Sequence, residues 1–288
     1  MKKENRLSKV LLLPLIKILL GLIFCILIPM IINKLILENL FQLFGLSENI
    51  NRGIRVFISA IMLMPIFYIY LYRKLDGREI TEFSKVNIFK NLNYGFYSAV
   101  IIILFSFILL IIFDLVDISG ASFPQNLIVN LIIILGLVIT KELVFRGIFY
   151  RIIEKRYGTI FALILSAIIF AILHLSNENT SVFSFISVMV GGISLGLLFT
   201  YTKSLWMPIA FHFGWNLMQV LLGFGLSGGN EFYQSYIFQL NLDENNIISG
   251  GNSGIENSLI SIIFLSIFAL YILYLCNKNQ YFQKRSKN

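Results

Sequence analysis

Three otherwise apolar stretches of the chain carry ionisable or amide side chains at helical spacing. The stretches are Lys141-Glu142-Leu-Val-Phe-Arg146, Phe170-Ala-Ile-Leu-His174 and His212-Phe-Gly-Trp-Asn216. Residues four apart lie on one face of a helix. A carboxylate, a guanidinium, two imidazoles and a carboxamide can therefore face one shared interior. The two imidazoles are the only two histidines of the chain.

These groups suit hydrolysis in an apolar place, where a water must be deprotonated and the oxyanion must meet fixed donors or a metal. Glu142 is a candidate base or ligand, with Arg146 holding it ionised. His212 and Asn216 are candidate ligands or oxyanion donors. The structural alternatives are an ion pair that only holds helices together and histidines that only form interhelical hydrogen bonds.

Membrane-spanning helices are the elements that carry these groups. The 288-residue chain is 57% hydrophobic and 13% charged, against about 45–50% and about 25% in soluble domains, and its mean hydropathy is +0.82. This composition excludes an ordinary soluble enzyme and a disordered chain. A span needs roughly 20 apolar residues. Eight such stretches lie near residues 10–32, 54–72, 94–117, 126–150, 158–175, 182–201, 205–226 and 258–276.

Lysine and arginine predict the orientation of the spans. With a cytoplasmic N-terminus, 17 of the 23 lysines and arginines fall on the cytoplasmic side, and only Lys34, Arg52 and Arg55 fall outside. We therefore expect an all-α bundle of about eight transmembrane helices in the cell membrane, with both termini cytoplasmic. The net charge of +8 is then a topology signal that predicts no nucleic-acid partner.

The chain is predicted to be a single polytopic domain, residues 1–288, surrounded by lipid. Residues 227–257 contain clusters of glycine, serine and asparagine and no lysine or arginine, which predicts a flexible extracytoplasmic loop.

The predicted depths of the site residues within their spans do not all agree. Glu142 and His212 lie 8 and 7 residues from the predicted cytoplasmic ends of their spans, but His174 lies 16 residues from the start of its own. Either that helix begins in the cytoplasm, or the turn at 176–180 is drawn into the bundle.

Taken in order, the three motifs resemble those of the CAAX-protease and bacteriocin-processing family of intramembrane endopeptidases, the CPBP or abortive-infection family. That family has Glu-Glu-x-x-x-Arg, Phe-x-x-x-His and His-x-x-x-Asn or Asp on separate helices, and the similarity covers about residues 126–220. The resemblance implies cleavage of membrane-associated or leader peptides or of lipidated proteins. It implies water activation at Glu142 and His174, with His212 and Asn216 as oxyanion donors. A metal-dependent form with zinc at Glu142, His174 and His212 is the family's other proposed mechanism.

Lys141 departs from the family pattern, which has glutamate at this position. A protonated lysine cannot ligate a divalent metal and repels one. Three outcomes stay open: Lys141 is a neutral base, Glu142 takes over the role, or the site is catalytically impaired. In the last case the chain would serve bacteriocin self-immunity or act as a scaffold. A transporter with these residues as a proton relay is a third interpretation.

Overall fold

The computed structural model describes residues 13–176, 181–226, 231–232, 235–243 and 247–284. Within these ranges the fold is helical apart from one two-stranded sheet. The prediction of an all-α membrane protein is confirmed. The basic residues at 2–9, Arg285 and Lys287, the turn at 177–180 and the glycine-rich cluster at 227–230 lie outside the described residues.

Eight helices of the described chain stand where the eight spans were predicted. They are α1 (Pro14–Gln42), α2 (Glu48–Asp76), α3 (Ile88–Ile112), α4 (Leu127–Tyr157), α5 (Thr159–His174), α6 (Val182–Thr202), α7 (Trp206–Leu222) and α8 (Leu259–Lys278). Six of them, all but α5 and α7, are long and apolar enough to cross a membrane. The count of eight complete spans and the cytoplasmic position of the termini stay predictions.

Apolar and polar side chains are distributed as in a membrane protein. Large apolar side chains such as Leu15 in α1, Ile101 in α3 and Leu270 in α8 are more than half exposed, whereas Glu142 in α4 and Asn216 in α7 are buried. Lipid tails solvate apolar surface and not charge. The outer faces of the helices therefore suit contact with lipid, and the polar groups share the interior of the bundle.

α4 is longer than the sequence predicted. We expected the span to end at residue 150, but the helix continues over Arg151–Tyr157 and stops at Gly158, which has a φ of 87°. As a result, Glu142 lies 15 residues before the end of α4 and His174 lies 15 residues after the start of α5. These equal separations along an antiparallel hairpin bring the two residues to similar depth. The inconsistency came from counting α4 only to the end of its apolar run.

Two glycines let α3 and α7 approach closely. A Cβ on Gly95 of α3 would lie 2.4 Å from the carbonyl oxygen of Met207, and one on Gly214 of α7 would lie 3.0 Å from the carbonyl oxygen of Phe96. Alanine at Gly95 would force the two helices apart, and alanine at Gly214 would make an unusually tight contact. Two residues turn a helix by about 200°, so His212 lies on the face of α7 opposite Gly214. Packing against α3 thereby turns His212 toward α4.

A buried ion cluster fixes the end of α4 to its neighbours. Arg151 pairs with Asp76 at the end of α2 at 2.7 Å and with Glu82 in the next loop at 3.2 Å. Lys17 of α1 also pairs with Asp76, and Arg78 pairs with Glu82. Burial acts to raise the pKa of the Glu82 carboxyl, but hydrogen bonds from Arg78 and the charge of Arg151 hold that pKa below its ordinary value. The cluster therefore joins α1, α2 and α4 while its carboxylates are ionised.

A small sheet, absent from the sequence prediction, joins two connections of the bundle. β1 (Val116–Ala121) follows α3 and pairs antiparallel with β2 (Phe238–Leu242), which lies in the segment expected to be a flexible loop. Val116 is opposite Leu242 and Ala121 is opposite Phe238, with an irregularity between Ile118 and Gly120. The two paired strands are far apart in the chain, so no local sequence pattern predicts the pairing.

The end of the same segment also folds against the helices. Short 3₁₀ turns occupy Gly251–Ser253 and Ile255–Asn257, and the Ile255 side chain is fully buried. Gly250 and Gly254 have φ values of 90° and 87°, which side chains other than glycine rarely adopt. In the described part of this segment, the glycines that predicted a flexible loop therefore form tight turns.

Candidate active site

Glu142 and Arg146 form an ion pair inside the bundle. Nη1 of Arg146 lies 3.2 Å from Oε1 of Glu142, and the two side chains are 2% and 0% exposed. Arg146 also donates from Nη2 to the carbonyl oxygen of Gly192 in α6 at 3.0 Å, and its guanidinium lies 4.9 Å from the ring centre of Phe170 in α5. A buried carboxylate is very costly without such a partner. Arg146 therefore compensates the charge of Glu142 and links α4 to α5 and α6.

His212 of α7 makes a second contact to the same carboxylate. Nδ1 of His212 lies 2.6 Å from Oε1 of Glu142. An ionised carboxylate only accepts hydrogen bonds, so Nδ1 carries the proton and Nε2 holds the lone pair of the neutral ring. Oε2 of Glu142 is buried and has no partner among the described residues. Glu142 thus sets the tautomer and the orientation of His212.

His174 has the same tautomer for a different reason. Its Nδ1 lies 2.7 Å from the carbonyl oxygen of Phe170, and a carbonyl oxygen can only accept. Nε2 of His174 therefore accepts, and its partner is the amine of Lys141, whose Nζ lies 3.1 Å away. The residue that departs from the motif is thus bonded directly to the histidine of the second motif.

A cavity of about 530 Å³, counting the space at its mouth, lies among α4, α5, α6, α7 and the turn before α8. Its walls are largely apolar, with Phe211, Trp215 and Leu265 among them. The ionisable and amide side chains that line it are Lys141, His174, His212, Asn216 and Glu256.

The structure brings three of the five sequence-predicted site residues to this cavity. His174, His212 and Asn216 line it, and the rings of both histidines pack on Phe170, with ring centres 4.3 Å and 6.3 Å from the Phe170 ring. Glu142 and Arg146 are not among the described lining residues. They lie one layer behind, where Glu142 reaches the cavity only through the His212 ring.

Residues 122–218 match the family model described as type II CAAX prenyl endopeptidase Rce1-like. The matched segment contains all three motifs and most of α4 to α7. Over these residues the chain is similar to the CAAX prenyl endopeptidase family, and the match agrees with the predicted core of 126–220. No curated protein and no solved structure matches the chain.

The donors of this site bear on the family's metal-dependent alternative. Nδ1 of His212 donates to Glu142 and Nδ1 of His174 donates to the Phe170 carbonyl, which leaves Nε2 of each ring as the nitrogen that could bind a metal. Nε2 of His174 faces the Lys141 amine at 3.1 Å. In the described part of the chain, no group of three or more His, Cys, Asp or Glu side chains is placed to hold a metal ion. The donor set in this arrangement does not fit a zinc ion.

Sequence reasoning missed Glu256, which lies beyond the end of the family match at residue 218. It lines the cavity together with the motif residues. The available signal was an acid two residues after Gly254, shortly before an apolar span. From sequence alone, such a residue is interpreted as part of a solvated loop. Only packing against distant residues turns it toward the site.

Proposed function

We propose that the chain is a CAAX-type intramembrane endopeptidase of the plasma membrane, with both termini cytoplasmic. It hydrolyses a peptide bond of a membrane-associated peptide, a leader peptide or a lipidated protein. The observation that carries the proposal is the 2.6 Å contact between Glu142 and His212 beside a cavity that His174 and Asn216 also line. A carboxylate-oriented imidazole beside a cavity is suited to general base catalysis.

In this mechanism His212 is the base and Glu142 acts through it. Nε2 of His212 takes a proton from a water, whose oxygen attacks the carbonyl carbon of the scissile peptide bond. The imidazolium is stabilised by Glu142 at Nδ1. The same proton then passes to the leaving nitrogen as the carbon–nitrogen bond breaks, which gives a carboxylic acid and an amine. Asn216, one turn along α7, supplies an amide donor for the oxyanion.

This distribution of roles differs from the one that the family resemblance implies. His174 is a weaker candidate for the base because its Nε2 already accepts a hydrogen bond from Lys141. Glu142 is a weaker candidate for direct water activation because it lies behind His212. The mechanism uses no metal, since Nε2 of His174 already accepts a hydrogen bond from Lys141 and no group of three or more candidate ligand side chains is placed around one point in the described part of the chain. Of the three outcomes for Lys141, this proposal is nearest to the one in which Glu142 takes over, with the difference that Glu142 acts through His212.

Peptide termini in cells test this proposal. We would compare all peptide termini, by quantitative mass spectrometry, in cells that carry the native chain or His212→Ala at matched expression. Termini that vanish in the variant support a working protease and name its substrate. A matched control is Glu231→Gln, an exposed carboxylate near the outer end of α2 that pairs with Arg52. It is expected to leave the termini unchanged.

The second candidate function is a catalytically impaired member that serves bacteriocin self-immunity or scaffolding. The contact between Lys141 and His174 favours this alternative, because it occupies a nitrogen that an active site would use. Identical termini in the native and His212→Ala cells would support it and contradict the protease. In that case protection against a bacteriocin, measured in the same two strains, would be unaffected by His212→Ala.

A further inference from the structure

The cavity extends from the middle of the bundle toward one of its two ends. His174 is the last residue of α5, and Glu256 lies before the first turn of α8. The lining residues of α6 begin at Ser187, five residues after that helix starts at Val182. From the level of His212, the lining side chains therefore continue toward the end of the bundle at which α5 ends and α6 and α8 begin.

Tight packing closes the bundle between the cavity and the opposite end. The Tyr150 side chain of α4 is fully buried, and its hydroxyl shares a hydrogen bond of 2.5 Å with the hydroxyl of Thr200 in α6. A Cβ on Gly196 of α6 would lie 2.8 Å from Cδ2 of Leu163 in α5. The helices α4, α5 and α6 are thus in direct contact there, and they close the cavity on this side.

Buried polar contacts hold the same end together. Glu154 is 4% exposed, and its carboxylate accepts hydrogen bonds from Thr159 at 2.7 Å and from Lys203 at 2.9 Å. The backbone of Thr159 donates to the carbonyl oxygen of Gln283 at 3.1 Å, and the backbone of Gln283 donates to the Thr159 hydroxyl at 2.9 Å. A peptide that entered from this end would have to break these contacts, and a buried carboxylate without its partner is costly.

The distribution of basic residues indicates which end is cytoplasmic, because lysine and arginine gather at the cytoplasmic ends of spans. At the closed end, basic residues lie in the last turns of α2, α4 and α8 and directly after α6: Arg73, Lys74, Lys155, Arg156, Lys278 and Lys203. At the cavity end, the described connection between α1 and α2 is flanked by Lys34, Arg52 and Arg55. Each of these three pairs with a carboxylate. The closed end is therefore the one that suits the cytoplasm.

We propose that the cavity admits its substrate from the extracytoplasmic half of the membrane, and that this substrate is the outward-facing segment of an exported or membrane-anchored peptide. The inference rests on the proposed endopeptidase function and its orientation, and it names the substrate class of that site. Lipidated chain ends that stay in the cytoplasm are not substrates of this site, because they meet the closed end.

The depth of the base sets how far the substrate must reach. His212 lies ten residues before the end of α7 at Leu222, which is about 15 Å at 1.5 Å per residue. An extended peptide covers roughly 3.3–3.6 Å per residue, so about five residues span this distance. The scissile bond is therefore expected within about five residues of the point at which the substrate leaves the outer end of the bundle.

Side-specific labelling of introduced cysteines tests the access side without any substrate. Val188→Cys places a thiol in the cavity wall on α6, and Ser47→Cys and Lys155→Cys are exposed markers of the two ends. A charged, membrane-impermeant methanethiosulfonate would be added to intact cells and to inverted vesicles. The native chain is the control, because Cys25 and Cys276 are buried. Val188→Cys and Ser47→Cys should be labelled in intact cells, and Lys155→Cys only in inverted vesicles.

Gly191→Cys is a second cavity position that keeps the test valid if Val188→Cys does not fold. A Cβ at Gly191 would meet only Leu265, at 4.0 Å. Labelling of the cavity thiols only in inverted vesicles would overturn the inference, and so would cavity thiols that react from neither side. Labelling of Ser47→Cys only in inverted vesicles would overturn the orientation and the inference with it. These results do not depend on catalysis, so the endopeptidase would still stand.

Cleavage from one side separates this inference from the function on which it rests. The peptide whose terminus depends on His212 would be added to intact cells or to sealed inverted vesicles that carry the native chain or His212→Ala. We expect cleavage that depends on His212 in intact cells and its loss in inverted vesicles. Cleavage in inverted vesicles, alone or equal to that in intact cells, would overturn the inference and leave the endopeptidase standing. Absence of such cleavage in both preparations and in detergent would instead overturn the proposed function.

Discussion

Nζ of Lys141 lies 3.1 Å from Nε2 of His174, and Nδ1 of that ring is bonded to the carbonyl oxygen of Phe170. The second-motif histidine is therefore held at both nitrogens by its own chain. In the proposed mechanism the base is therefore His212, whose Nδ1 is held by Glu142. It also places a cation at the cavity, where the family pattern has an acid.

Lys141→Glu is expected to lower cleavage at least tenfold, although it restores the residue of the family motif. The substitution removes the cation from the cavity and adds a carboxylate next to Glu142 in the chain, at a cavity that Glu256 also lines, and like charges at short range destabilise each other. The measurement is the rate of peptide cleavage in liposomes, with circular dichroism to verify the helical fold. A rise in rate would contradict this prediction and support the impaired-site alternative.

Arg146→Met is expected to destabilise the protein by about 3–5 kcal/mol, because it leaves the buried carboxylate of Glu142 without its main counter-charge. The double variant Glu142→Gln/Arg146→Met should recover most of this loss, since both charges are then absent. Chemical unfolding in detergent micelles measures both. Equal stability of the single and double variants would show that the pair contributes little to the fold.

Cleavage should fall by about 10²–10⁴-fold in His212→Ala, the usual contribution of general acid–base catalysis. Glu142→Gln should also lower the rate, because a carboxamide does not stabilise the imidazolium that forms. The two substitutions together should cost no more than His212→Ala alone, since Glu142 acts through that ring. The rates of the three variants in liposomes measure this. Additive losses would indicate a direct role of Glu142 in water activation.

Gly192→Ala is expected to destabilise the protein by about 1–3 kcal/mol through overpacking. A Cβ at this position would lie 3.1 Å from Cα of Ala167 and 3.4 Å from the ring of Phe170, on which both histidines pack. Gly191→Ala is the matched control for stability, since its Cβ would meet only Leu265 at 4.0 Å. The measurement is the unfolding temperature in detergent. Similar temperatures for both variants would contradict close packing of α5 and α6 at Gly192.

Acid should weaken the ion cluster at the end of α4 through Glu82. The pKa of this carboxyl is lowered in the folded protein, so its contribution to stability is fully present above the ordinary carboxyl pKa and is lost as the pH falls through the folded value. Glu82→Gln should therefore cost about 2 kcal/mol near pH 7, and the difference from the native chain should shrink in acid. Unfolding between pH 7 and pH 3 measures this. Glu79→Gln, in the same loop but exposed, should show no such pH-dependent difference.

Sequence alone determined the class of the protein, the approximate position of all eight helices and the three motifs. Those features are local, because hydropathy marks a span and four-residue spacing marks one helix face. The family segment was also visible, since the residues of its motifs lie at short separations within single helices. Glycines 95 and 214 could not be interpreted in the same way, because their role depends on what the neighbouring helix presents.

Only the tertiary structure decided which residues meet the cavity. α4 continues past its apolar run because its charged last turns bind Asp76 and Glu82 of another connection, and hydropathy cannot anticipate such partners. Glu142 falls behind His212 because α7 is turned by its packing on α3. Glu256 joins the site because glycine turns and Ser187 fold a distant segment inward. Each outcome depends on contacts between residues far apart in the chain, which no local pattern of sequence contains.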